Sequence, residues 1–193
     1  MTTTARIYSG MRMSPEEFRN LPETTPRCEL VKGVLYIMPE PALDHQFLVH
    51  LLWKYLFDQL ALAGVAHAYS SVNLVLPAED YLSPDIIVVA SGRAEMLGQV
   101  WVNGSPDIVV EVLSTDRRRD LERKRELYEA AGVPEYWILD GDANTLTALE
   151  LGDDGRYRER AVLTAADTLT TPLFPEFSLP LAQLFEHPTR IRR

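Results

Sequence analysis

The chain contains the run Pro106-Asp107-Ile108-Val109-Val110-Glu111-Val112-Leu113, and a charged segment from Arg117 to Ala131 follows it. A nearly continuous apolar run of this length is typical of a β-strand that is covered on both faces. At about 100° per residue, one arc of the following segment collects its apolar side chains. The members of that arc are Leu121, Lys124, Leu127, Tyr128 and Ala131. These two segments predict a buried strand followed by an amphipathic helix.

Lys124 lies in the middle of the apolar arc, and Asp120 shares that arc. Because a buried charge is costly unless it is paired, an inward-facing Lys124 predicts carboxylates close to the helix. The best candidates are Asp85 and Glu111, which lie on predicted strands. Three charged groups brought together at the edge of a sheet suggest an active site.

Simpler interpretations of these charges stay open. Asp120 and Lys124 are four positions apart, so they could form an ordinary pair within the helix. Glu111 could merely pair with Lys124 or with Arg117. The solvent-facing side of the helix lies elsewhere, which favours a functional interpretation.

The two acids also predict a metal site. Strand alternation groups Asp85 with Ile87 and Val89, and it groups Glu111 with Val109. If the two strands are neighbours, their carboxylates share one face and require a cation, and oxygen ligands favour Mg²⁺ or Mn²⁺. Such an ion could activate a water, while Lys124 would orient the water or stabilise charge in the transition state. Pro-Asp pairs occur at positions 84–85 and 106–107, so one of them is expected to be structural.

The rest of the chain predicts an α/β (α+β) fold with a mixed β-sheet flanked by helices. It also predicts an N-terminal hairpin and a C-terminal antiparallel ribbon. The predicted elements are a short helix capped by Ser14, a hairpin over Glu29–Met38, a helix capped by Asp44 that runs to about Ala63, strands over 65–76, 83–89, 107–113 and 135–140, and the ribbon strands 145–151 and 156–162.

Composition narrows the class of protein. A length of 193 residues predicts one domain, 1–193, with a core over about 14–185. No apolar run is long enough to span a membrane, the N-terminus lacks a secretory signal, and Cys28 is the single cysteine, so a cytoplasmic protein is expected. The net charge of −9 argues against nucleic-acid binding over the whole surface but allows a local basic strip.

These motifs together resemble the Uma-type family of bacterial restriction-endonuclease-like proteins. The segments that carry the resemblance are Pro84-Asp85, Glu111 to Ser114, Asp120, Lys124 and Tyr128, Gly132 to Asp140, Arg27 to Gly33, and His45. The resemblance covers roughly Ser14 to Leu184 and implies the PD-(D/E)xK nuclease fold. In the usual form of that motif a lysine stands two positions after the acid, where this chain has Leu113, so the lysine has moved to the next helix.

By this resemblance Asp85 and Glu111 would hold the metal with the Val112 carbonyl as a third ligand, and Lys124 would be the catalytic cation. Glu29 would help to position water or a second ion. Three further residues, His45, Asp120 and Tyr128, are weaker candidates for the site. His45 could contact phosphate or be a surface or packing residue, and Tyr128 could hydrogen-bond the acids or simply be core.

The function predicted from the sequence is that of a Mg²⁺- or Mn²⁺-dependent endonuclease acting on DNA, with a homodimer as a guess from the need to cut both strands. Two alternatives stay open. The chain could be a nuclease-fold module that binds nucleic acid or a protein without cutting, or a hydrolase of a smaller phosphoester.

Overall fold

A computed structural model describes residues 7–22, 25–113 and 118–191, with the side chains of 118–120 outside that description. It contains two mixed sheets, a two-stranded hairpin and four α-helices within those residues. This architecture confirms the predicted fold class, a mixed sheet flanked by helices.

The smaller of the two mixed sheets carries the N-terminal hairpin. Its strand order is β2-β1-β5-β4-β7, and only the β4–β7 pair is parallel. Its strands are β1 (Cys28–Val31), β2 (Val34–Ile37), β4 (Asn73–Val75), β5 (Tyr81–Leu82) and β7 (Trp101–Asn103). Lys32 and Gly33 both have positive φ, as a two-residue hairpin turn requires, and this turn sets Glu29 opposite Tyr36.

The larger sheet has the strand order β11-β10-β9-β8-β6-β3 and contains one parallel pair, β8–β9. Its strands are β3 (Ala66–Ser70), β6 (Ile86–Ala90), β8 (Ile108–Val112), β9 (Glu135–Asp140), β10 (Thr145–Leu151) and β11 (Tyr157–Leu163). The β10–β11 pair is the predicted C-terminal ribbon. Because β8 and β9 are parallel, the chain crosses over between them through the helix that carries Lys124.

Helices cover both faces of the larger sheet. On one face α2 (Leu43–Leu56) packs Leu48 and Leu52 against inward residues of β6 and β8 such as Ile86. On the other face α3 (Arg118–Ala131) packs Leu127 and Tyr128 against residues that include Ile87. Strands buried on both faces explain why 86–89 and 108–112 are apolar almost throughout.

The remaining elements cover the ends of the two sheets. They are α1 (Pro15–Arg19), which the predicted Ser14 capping box begins, the hairpin β12 (Thr168–Thr171) and β13 (Phe174–Pro180), and α4 (Ala182–Phe185). None of the helices among the described residues combines the length and apolar character needed to cross a membrane.

Two predicted elements were wrong in detail. The predicted strand 65–76 is two strands in different sheets, because Ser71 has a φ of 53° and turns the chain between β3 and β4. Asp44 does not cap α2: Ala42 occupies the N-cap position without a side-chain bond, and Asp44 instead pairs with Arg190. The helix also ends earlier than predicted, at Leu56, and continues as one π-helical turn, Phe57–Ala61.

Candidate active site

Asp85 and Glu111 lie side by side at one end of the larger sheet. The β6–β8 register pairs Ile86 with Val110 and Ile87 with Val109, and one further step sets Asp85 opposite Glu111. Directly opposite residues of an antiparallel pair point to the same face, which here is the face that α3 covers. Both side chains are buried, with side-chain exposures of 3% each. The two strands are neighbours, which is the condition on which the shared face of the two carboxylates depended.

Lys124 reaches into this acidic pair from α3. Its side chain is 2% exposed, and its Nζ lies 2.9 Å from Glu111 Oε1 and 3.0 Å from Glu29 Oε1. Both distances are those of charge-assisted hydrogen bonds. The inward orientation inferred from helical periodicity is confirmed.

Glu29 enters the cluster from a different sheet. The β1–β2 hairpin presents one face to α3, and Glu29 on that face is completely buried. The Ser83 N–H donates to Glu29 Oε1 at 3.0 Å, and Oε2 accepts no hydrogen bond from any described residue. Lys124 therefore joins an acid of the smaller sheet to an acid of the larger one.

Asp85 is held by a histidine as well as by the backbone. His45, in the first turn of α2, places Nε2 3.1 Å from Asp85 Oδ2, and the Val112 N–H donates to the same oxygen at 2.8 Å. His45 is buried, so the structure does not place it as a surface residue. Its contact with Asp85 was missed from the sequence, where His45 was noted for the family resemblance and as a possible phosphate contact near the start of a helix.

Tyr128 completes the contacts of Glu111. Its hydroxyl donates to Glu111 Oε1 at 2.8 Å, four residues along α3 from Lys124. Burial, with the negative charge of Glu111 second, raises the pKa of Tyr128 well above its ordinary value. The hydroxyl thus stays protonated and acts as a donor, which agrees with the prediction that Tyr128 could bond the acids.

The two neighbouring acids differ in their affinity for a proton. Burial raises the pKa of Glu111 to about 7, against the lowering effect of Lys124 and with the help of the charges on Asp85 and Glu29. Burial also acts to raise the pKa of Asp85, but the His45 hydrogen bond and charge, the Val112 N–H and Lys124 together lower it. Because burial is the main cause of the raised pKa of Glu111, a further cation beside its carboxylate would stabilise the charged form.

The donor set fits a hard divalent ion. Within the described residues every hydrogen bond to the Asp85 carboxylate goes to Oδ2 and every one to Glu111 goes to Oε1. Asp85 Oδ1 and Glu111 Oε2 accept no hydrogen bond from the described residues and could therefore act as ligands. The part of the chain that the structure describes has no grouping of three or more His, Cys, Asp and Glu side chains with the geometry of a metal site. An ion here would rest on two carboxylates, a backbone carbonyl and water, a set that Mg²⁺ accepts.

Two other acids of the sequence analysis do not belong to the described site. Asp107, the second Pro-Asp aspartate, accepts bonds from Arg93 and from the Ala90 N–H at the far end of β8, so its role is structural. The Asp120 side chain falls outside the described residues, as does Arg117, so their predicted pairings stay predictions.

Comparison with known proteins supports this assignment of the fold. The solved structure of a "putative nuclease belonging to DUF820" from Anabaena variabilis ATCC 29413 superposes with a TM-score of 0.76 at 20% identity, over 90% of this chain and 98% of that one. No curated protein matches the chain in sequence. Residues 15–182 match the Uma2 family, which is described as "Putative restriction endonuclease". The chain belongs to the Uma2 family.

Proposed function

We propose that this protein is a Mg²⁺- or Mn²⁺-dependent endonuclease that hydrolyses phosphodiester bonds of DNA. The observation that carries the proposal is the buried Lys124 ammonium, 2.9 Å from Glu111 and 3.0 Å from Glu29, in a cluster that also contains Asp85. A cluster of buried charges stabilises a protein little more than apolar side chains of the same size would, because desolvation offsets the attraction, although removing one partner alone is costly. Membership of a family described as restriction endonucleases supports the same function.

Three oxygens would hold the ion: Asp85 Oδ1, Glu111 Oε2 and the Val112 carbonyl. When bound, a divalent ion supplies Lewis-acid charge to a phosphoryl oxygen and lowers the pKa of water. His45 and the Val112 N–H fix the other oxygen of Asp85, so that carboxylate is oriented before any ligand arrives.

Lys124 would act as a preorganised donor toward the charge that develops on the phosphate. Glu111 and Glu29 hold its ammonium from two sides, so it needs no reorganisation during the reaction. Glu29 Oε2, which accepts no bond from the described residues, would accept a proton from the attacking water or orient it. The α3 and hairpin side chains around these groups exclude bulk solvent, which strengthens each interaction.

Nicking of supercoiled plasmid with Mg²⁺ or Mn²⁺ tests the proposal. We expect Asp85→Asn, Glu111→Gln and Lys124→Met, each assayed where circular dichroism shows it to be folded, to lower the nicking rate by at least ~100-fold. The matched control is Asp107→Asn, which changes the other Pro-Asp aspartate and should leave the rate of the folded protein unchanged. Nicking that survives the three site substitutions would overturn the assignment.

A non-cleaving module is the second outcome of the same experiment. If the wild type binds DNA but does not nick it with either ion, the nuclease proposal fails and a binding function replaces it. A homodimer is predicted because one acidic cluster can cut only one strand of a duplex. Light scattering with and without DNA measures the oligomeric state and so tests this prediction.

A further inference from the structure

We propose that Arg27, Tyr36 and Arg123 form a rim that binds the phosphates of DNA beside the acidic cluster. We call these three residues the arginine rim. The choice of DNA as the ligand rests on the proposed function, but binding by the rim is separate from cleavage and can be measured without it.

The hairpin and α3 meet through two successive contacts. The inner one is the buried ion pair of Lys124 with Glu29, at 3.0 Å. The outer contact is between Arg123, which precedes Lys124, and Tyr36, which lies opposite Glu29 in the hairpin. The Arg123 Cζ lies over the Tyr36 ring, 3.9 Å from its centroid. Arg123 and Tyr36 are both partly exposed, whereas the inner pair is buried. A cation thus stands between the acidic cluster and the solvent.

Arg27 brings a second guanidinium to the same face of the hairpin. It stands directly before β1, two residues from Glu29, and its carbonyl accepts a hydrogen bond from the Met38 N–H at 2.9 Å. Its Nη2 donates to the Ser83 carbonyl at 2.6 Å, while the Ser83 N–H donates to Glu29. Arg27 is therefore fixed to the loop that leads into Asp85, and it too is partly exposed.

The chemistry of the rim suits phosphate. A guanidinium stays charged at any physiological pH, and its planar fork of N–H donors matches phosphate oxygens. Stacking on the Tyr36 ring restricts the Arg123 side chain and so reduces the entropy lost when it binds an anion. The chain carries a net charge of −9, so a polyanion needs a local positive strip to approach a cluster of acids. Contacts of this kind position the DNA backbone and do not read its sequence.

Fluorescence anisotropy of a labelled DNA duplex tests the rim, with Ca²⁺ in place of Mg²⁺ to separate binding from cleavage. We expect Arg123→Gln and Arg27→Gln each to weaken binding by ~10-fold, the loss of one charged hydrogen-bonding contact. Each should also lower the slope of log affinity against log salt by about 1. Tyr36→Phe keeps the stacked ring and should bind as the wild type does, whereas Tyr36→Leu should weaken binding.

Arg125→Gln is the matched control, because it removes the same charge from the same helix. Arg125 is exposed and donates to the Tyr157 carbonyl, away from the hairpin. We expect the affinity and salt slope of this variant to match those of the wild type. If Arg125→Gln and Arg123→Gln weaken DNA binding equally, the loss of affinity reflects the change in net charge alone, and the arginine rim is wrong.

The rim and the nuclease proposal fail in different ways. If the wild type nicks plasmid, Asp85→Asn abolishes nicking, and Arg123→Gln and Arg27→Gln bind the duplex normally, the rim is wrong and the nuclease stands. If both arginine variants lose affinity and salt slope in a protein that does not nick, the rim stands and the nuclease is wrong. A wild type that does not bind the duplex with Ca²⁺ overturns the rim.

Discussion

Removing the buried ammonium with Lys124→Met should destabilise the protein strongly in the absence of metal. Lys124 is the shared partner of Glu29 and Glu111, whose side chains are 0% and 3% exposed. Methionine has a similar length but leaves both carboxylates buried without their cation. Breaking a buried pair in this way costs about 3–5 kcal/mol. Since a typical domain has a free energy of unfolding of about 5–15 kcal/mol, the loss is large but measurable.

The penalty should increase with pH. In the wild type the pKa of Glu111 is raised from 4.5 to about 7 in the folded state. Protonation of Glu111 therefore stabilises the fold fully below pH 4.5, and this stabilisation is lost as the pH rises to about 7. Lys124 lowers this pKa, so Lys124→Met should move it above 7. The variant then continues to lose stability above pH 7 while the wild type does not. The difference in unfolding free energy should widen by up to ~1.4 kcal/mol per pH unit there.

Urea unfolding in EDTA at pH 6, 7 and 8, followed by tryptophan fluorescence, measures this difference. The control is Lys54→Met, which removes an exposed lysine of α2 that pairs with Asp58 of the following π-helical turn. Because that pair is exposed to solvent, its loss should cost much less than the loss of Lys124, without a comparable pH dependence. If Lys124→Met costs less than ~1 kcal/mol at every pH, its ammonium is not buried between two acids, and the site described above does not exist.

Three further predictions follow from the contacts of the site and its supports. Because Mg²⁺ and a proton compete for Glu111, the Mg²⁺ affinity measured by calorimetry should fall by up to ~10-fold for each pH unit below the Glu111 pKa of about 7. An affinity that does not change with pH would exclude Glu111 as a ligand. His45→Phe removes the hydrogen bond to Asp85 and should weaken Mg²⁺ binding by ~10-fold or more. His45→Gln can restore a donor to Asp85 and should bind Mg²⁺ more tightly than His45→Phe does. Equal losses of Mg²⁺ affinity in the two variants would contradict a positioning role for His45. Arg190→Met breaks the buried bidentate pair with Asp44 and should lower the free energy of unfolding, measured by thermal unfolding, by ~3 kcal/mol. The exposed Arg158→Met is the control and should cost less than ~0.5 kcal/mol. Equal costs for the two variants would mean that the Arg190 pair does not stabilise the fold.

Local periodicity was enough to predict which charged side chains meet at the end of the larger sheet. A 100° step along α3 put Lys124 on the buried side, and alternation along two strands put Asp85 and Glu111 on one face. Both inferences depend only on the geometry of a single element. They needed one further assumption, that the strands are neighbours, and the β6–β8 pairing satisfies it.

Contacts between distant elements were beyond that reasoning. Nothing in the hairpin sequence indicates that Glu29 packs against α3, because a lone acid on a short strand is equally compatible with solvent. The bond from His45 to Asp85 depends on the angle at which α2 crosses the sheet. The break at Ser71 depends on a positive φ that serine rarely adopts, so the pattern of residues gives no warning of it.

The position of the lysine on a helix has a structural consequence. Two places after Glu111 the chain has Leu113, so no lysine stands on β8 itself. On α3 the ammonium can reach Glu111 of one sheet and Glu29 of the other at the same time. The proposed catalytic charge therefore also fastens the hairpin to the body of the protein. Substitutions that weaken catalysis by removing Lys124 should loosen the hairpin as well, so activity and stability at this site cannot be optimised independently.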